Sequence, residues 1–140
     1  MLKKILGEFE LRSVATVDGI FCTLPIRTVS EANSREHWHV KARRHTLHKD
    51  LVYLALNKHK DIIRLPCILK VTRYAPGTLD KHDNLPISLK WIVDACCEII
   101  TDDKRVGRAD SDERISIEYG QERCKAYGVM ISIQFDPEAE

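Results

Sequence analysis

No apolar run in this chain approaches the ~20 residues that a helix needs to cross a bilayer. The opening stretch Met1-Leu2-Lys3-Lys4-Ile5-Leu6-Gly7 has two lysines but no long apolar core, which argues against a signal peptide. No C-x-x-C pair occurs, and the cysteines are odd in number: Cys22, Cys67, Cys96, Cys97 and Cys124. A disulfide framework and a zinc site of the usual spacing are therefore not expected. The thiols read as small buried side chains of a reducing, cytoplasmic setting. Internal repeats, low-complexity tracts and linkers are absent too. No serine or cysteine stands in a recognisable set with a base and an orienting group, so nucleophilic catalysis has no candidate.

What is present is an ordinary globular composition, 44% hydrophobic and 31% charged. A length of 140 residues suits one domain, spanning 1–140, with a core of its own. The formal net charge is only +1, but it is unevenly spread. Residues 1–60 hold eleven lysines and arginines against six acids, and residues 113–140 hold three against six. A basic half permits an anionic partner despite the neutral total.

The pattern along the chain predicts an α+β domain in the order β-β-α-β-α-β-β, a mixed or antiparallel sheet with two main helices. Glu8 to Thr16 and Ile20 to Leu24 read as paired strands around the turn dipeptide Asp18-Gly19. Ser30 or Ser34 is the expected cap of a helix reaching about Asn57, with Leu47, Leu51 and Leu54 as its apolar stripe and Trp38 as a possible extension. The opposite face is basic: Arg35, Lys41, Arg43, Arg44 and Lys49, with His37, His39, His45 and His48, against Glu36 alone. Such a face is either solvated or made for a polyanion. His45-x-x-His48 lacks a third metal ligand in its neighbourhood of the sequence. Arg64 to Tyr74 alternates as a strand. A second helix starts near Asn84 or Leu85, with Pro86 in its first turn and Leu85, Leu89, Ile92, Val93, Cys96 and Ile100 inward. Thr101 to Ala109 is a polar loop carrying Asp102, Asp103, Lys104, Arg105 and Arg108. Arg114 to Tyr119 and Tyr127 to Phe135 alternate as strands, and Gly120 to Ala126 is expected to join them as a hairpin.

Acids flank the second helix. Asp80 and Asp83 precede it, Asp94 sits on it four residues after Lys90, and Asp110 and Asp112 follow it. Folded toward one point, such carboxylates bind Mg²⁺ or Mn²⁺. The bland alternative has Asp80 and Asp83 capping a helix, Lys90–Asp94 as a surface ion pair, and the later acids solvated.

The run Leu79-Asp80-Lys81-His82-Asp83-Asn84-Leu85, the Lys90/Asp94 spacing and the acidic turn Asp110-Ser111-Asp112 before Arg114-Ile115 resemble the RusA-like Holliday junction resolvases, phage-type crossover junction endodeoxyribonucleases. Ser30-Glu31-Ala32-Asn33-Ser34-Arg35-Glu36-His37-Trp38 resembles the stretch before their first helix, and the likeness runs from about Ile20 to Ile133. Lys81 and His82 interrupt the family's acidic cluster, and about one helical turn is inserted before Lys90. The resemblance implies a homodimeric, Mg²⁺-dependent endonuclease of recombination and repair that cuts branched DNA in the bacterial or phage-infected cytoplasm, with no small-molecule substrate and no membrane. Asp80, Asp83 and Asp112 would hold the metal, with Asp110 assisting and Asp102-Asp103 a rival for the late ligand. Lys90 would stabilise charge at the scissile phosphate. Arg35, Lys41, Arg43, Arg44, Lys104, Arg105 and Arg108 would follow the DNA backbone.

Overall fold

The computed structural model describes residues 9–31, 35–102 and 112–137. The elements are β1 (Arg12–Ala15), β2 (Gly19–Leu24), α1 (Trp38–Leu56) continued by a 3-10 helix (Asn57–Ile62), β3 (Cys67–Ala75), α2 (Asn84–Thr101), β4 (Ile115–Arg123) and β5 (Gly128–Phe135). The α+β class and the order of strands and helices follow the expectation. None of the helices is long and apolar enough to cross a membrane, among the described residues.

The sheet is five-stranded in the order β1-β2-β5-β3-β4. All neighbours are antiparallel except β3 and β4, which are parallel. The expected hairpin between β4 and β5 is therefore not formed. β3 lies between them, and residues 124–127 cross over its end. Pro76 and Gly77 turn the chain away just after Ala75, and the Cys124 N–H then bonds the Ala75 carbonyl (2.9 Å). Two strand spacings are about 10 Å, a gap that four residues bridge easily.

Alternation sends every second side chain to the helices. Ile20, Ile133 and Leu69 form one row across the sheet, and Cys22, Ile131 and Val71 the next. They meet Leu85, Leu89, Ile92, Val93 and Cys96 of α2, all buried as the 3.6-residue period predicts. Four of the five cysteines are buried and all are free thiols. Both helices pack on this face. The other face lies open, with Phe21, Lys70, Thr72, Met130 and Ser132 around a shallow concavity of about 420 Å³.

Helix α1 departs from the expectation. Its cap is His37, whose Nδ1 accepts from the His39 N–H, not Ser30. Ser34 lies outside the described residues. Its buried residues are His48, Val52, Ala55 and Leu56, while Leu47 and Leu54 are 56% and 60% exposed and Leu51 is half-buried. Apolar residues run round most of this helix, so its inward face was not set by counting leucines. Contact with α2 sets it: His45 stacks on Trp91 with ring centroids 4.0 Å apart, and Lys49 lies over the same indole.

Candidate functional site

The strand β3 delivers the chain to the acidic turn. Arg73, in the inward row beside Val129, donates from Nε to the Thr28 hydroxyl (2.9 Å) and from a terminal nitrogen to the Gly77 carbonyl (2.9 Å). Burial pushes its pKa down, yet the two acceptors satisfy the charge it keeps. Leu79 is then fixed against β4: its N–H donates to Gln121 Oε1 (3.0 Å), and Gln121 Nε2 donates to its carbonyl (2.7 Å).

Asp80 follows at once, and its carboxylate closes the start of α2. It accepts the backbone N–H groups of Asp83 (3.0 Å) and Asn84 (3.3 Å) and the Asn84 side-chain amide. The Asp83 amide, with Asn84 behind it, holds the Asp80 carboxyl below its usual pKa. This is the capping role that satisfies orphan donors at a helix start. Asp83 stands at the cap position, exposed, and its side chain makes no capping bond.

Asp112 lies elsewhere. Its carbonyl accepts the Ile115 N–H at the beginning of β4, and its carboxylate grips Arg114 at 2.7 and 3.0 Å. The Arg114 guanidinium lowers its pKa to about 2. Leu79 is tied to Gln121, six residues up the strand from Ile115, so Asp80 and Asp112 sit near opposite ends of β4. Six strand residues span about 20 Å. One cation with ligand bonds of ~2.1 Å does not bridge that gap within a chain. Among the described residues, no three His, Cys, Asp or Glu side chains gather to hold a metal. Lys90 lies about 9 Å along the axis from the start of α2, with Nζ 3.3 Å from Asp94 and 5.3 Å from the Trp91 ring. That is the i,i+4 surface pair of the bland alternative. Asp110, Lys104, Arg105, Arg108 and Asp103 lie outside the described residues, and Asp102 bonds Lys60 (2.6 Å) at the end of α2.

The capping role has its own test. Asp80→Ala should lower the melting temperature, Asp80→Asn should keep most of it, and Mn²⁺ should shift neither variant differently from the parent. A melting temperature unchanged in Asp80→Ala would refute the cap.

The basic helix is partly neutralised. Arg44 is held by Glu31 (2.7 Å) and by Glu36, and Lys49 approaches Glu98 (3.9 Å). His45 Nε2 donates to both oxygens of Glu31 (2.9 and 3.0 Å). Glu31 was missed as a partner because thirteen and fourteen residues separate it from Arg44 and His45, and only the fold returns it. Arg35, Lys41 and Arg43 make no ion pair among the described residues. At the exposed start of α1, Trp38 is 73% exposed, beside the His37 and His39 rings, which lie 4.0 Å from each other and 5.8 and 5.5 Å from the indole. An indole left in water beside Arg35 and Lys41 is a surface able to stack on a base and attract a phosphate. The sequence signal for it was a tryptophan between two histidines in a basic run.

No family model and no curated protein matches the chain. Among solved structures, it is similar to the OmpA-like domain of FopA1 from Francisella tularensis subsp. tularensis SCHU S4, at 12% identity over 98% of this chain and 87% of that one. The TM-score is 0.37, a likeness too loose to bear on function.

Proposed function

We propose that this protein binds branched DNA through the exposed start of α1 and does not cut it. The observation that carries this reading is Trp38, solvent-exposed against the His37–His39 imidazole pair, with Arg35 and Lys41 three residues to either side and in no ion pair among the described residues. Stacking on an indole is worth about 1–3 kcal/mol per base and tolerates any sequence. Branch points expose unstacked bases that a duplex hides. The branched class itself comes from the resemblance to RusA-like resolvases, and the α+β order is compatible with it.

Metal-dependent cleavage, the other half of that resemblance, would need one cation shared by Asp80 and Asp112, which lie near opposite ends of β4. The observation in its favour is Asp83, whose exposed carboxylate makes no capping bond beside Asp80.

The test is fluorescence anisotropy with a labelled synthetic four-way junction and a matched duplex. The junction should bind more tightly, and Trp38→Ala should weaken it about tenfold. Arg35→Ala and Lys41→Ala should each flatten the salt slope by about one. Unchanged affinity in Trp38→Ala would refute the stacking role. The same junction incubated with Mg²⁺ should stay intact; cutting that Asp83→Asn abolishes would replace this reading with the nuclease.

A further inference from the structure

We propose that residues 1–8 of this chain lie across the open face of the sheet and cover its apolar side chains. That face carries Val14 and Phe21, opposite each other on β1 and β2 and 60 and 53% exposed, with Met130 and Thr72 in the next row. Apolar side chains in adjoining rows, with no helix above them, form a patch that asks for cover. One end of it is already covered from within the chain. Phe9 is buried there: its ring centroid lies 5.1 Å from that of Tyr74, and a β-carbon at Gly128 would run into it. The Thr23 hydroxyl, on the same face, donates to the Glu10 carbonyl (2.7 Å). Traced back from Arg12 on β1, the backbone therefore passes Thr23 on β2 and reaches Gly128 and Tyr74 on β5 and β3. It crosses the sheet instead of following its edge.

Length and pattern select the occupant. Residues 1–8 lie outside the described residues. Phe9 hands them on at the rim of the concavity of about 420 Å³, which Tyr74 lines together with Thr72, Lys70, Met130, Ser132 and Phe21. From the Tyr74 row to the Lys70 row is a run of about 13 Å along the strand, and eight residues of helix span about 12 Å. Leu2, Ile5 and Leu6 precede Phe9 by seven, four and three residues, the spacing of one helical side, while Lys3, Lys4 and Glu8 fall on the other. Phe9 points at the sheet, so a helix continued back from it turns Leu2, Ile5 and Leu6 to the sheet as well. A separate chain would have to compete with a segment tethered beside the patch at an effective concentration of about millimolar. The cover stands independently of the DNA reading, whose residues belong to α1, on the other side of the sheet.

Oxidation of Met130 by hydrogen peroxide in the full chain, followed by peptide mass mapping, tests it. Peroxide converts a thioether that solvent reaches into a sulfoxide. Met130 lines the concavity, and the other methionine, Met1, falls in a different peptide. Ile5→Glu/Leu6→Glu, which removes the apolar stripe, should be oxidised at Met130 several-fold faster than the parent. Lys3→Glu/Lys4→Glu should match the parent. Cys96, fully buried under the opposite face, should stay unoxidised in all three, the sign that each is folded. Leu2→Glu, furthest from β1 in the chain, repeats the comparison if the first pair unfolds. Equal rates in the parent and in the variants of the stripe overturn the proposal. So does a rise as large in Lys3→Glu/Lys4→Glu. Protection of the parent that grows with protein concentration also overturns it, because the cover would then be a second copy.

Discussion

Lowering the pH from 7.5 to 5 is expected to remove about 2 kcal/mol of folding stability through His48 alone. His48 is 3% exposed, and its Nδ1 finds no hydrogen-bond partner among the described residues. Burial, with the nearby Arg44 and His45 charges adding to it and Glu31 opposing, depresses its pKa from 6.5 to about 4. The unfolded chain, with an ordinary imidazole, takes up a proton once the pH falls below about 6.5, and the folded protein refuses it until about 4. Protons therefore bind preferentially to the unfolded state in that window, and stability falls with pH across it. The contribution is complete above 6.5 and gone below 4. Urea melts of the parent and of His48→Leu at pH 7.5 and 5 measure it. The leucine variant should lose the slope and, with no orphaned nitrogen to bury, should be about 1 kcal/mol more stable at pH 7.5. A slope of equal size in both proteins would place the proton uptake elsewhere.

Gly19→Ala is expected to destabilise the domain by about 3 kcal/mol. Gly19 begins β2, opposite Gln134 on β5, and the strand enters there from the tight turn in which the Thr16 N–H bonds the Gly19 carbonyl (2.8 Å). A β-carbon at this position would lie 2.1 Å from the Ile133 carbonyl oxygen. That atom is backbone in the middle of the sheet and cannot swing aside, so the β1–β2 ribbon must move off β5. Gly128 offers the contrast. There a β-carbon would meet the Phe9 ring at 2.2 Å, but Phe9 sits on the segment ahead of β1 and can peel away. Thermal melts should rank Gly19→Ala well below Gly128→Ala. The reverse order would show that β2 and β5 tolerate separation.

Helix α2 was legible in the sequence because one period explains it. Leu85, Leu89, Ile92, Val93, Cys96 and Ile100 are all on its buried side. Helix α1 was legible as a helix but not in its orientation. Leu47 and Leu54 look like core and face water, while His48 looks like surface and is enclosed. Leucine spacing does not decide between two apolar faces; the stacking of His45 on Trp91 does, and no local pattern encodes it. The β4–β5 hairpin failed for a related reason. Alternation identifies a strand but not its neighbour, and the turn at Pro76-Gly77 that lets residues 124–127 cross β3 lies some fifty residues earlier. The distance between the early and the late acids was not legible in the sequence. Asp80 and Asp112 bracket a helix, and a helix followed by a parallel strand starts the next strand at the far end of the sheet.

The placement of β5 has a consequence for how the chain is made. It comes after the other four strands of this sheet in the chain and is the central one, bonded to β2 on one side and β3 on the other. A nascent chain stalled before Gly128 holds a β1–β2 ribbon and a β3–β4 pair that share no backbone bonds, each with an open edge where β5 belongs. Translation thus builds two half-sheets and welds them only when β5 emerges. During that interval the bare edges of β2 and β3 are the places where a neighbouring nascent chain can pair wrongly.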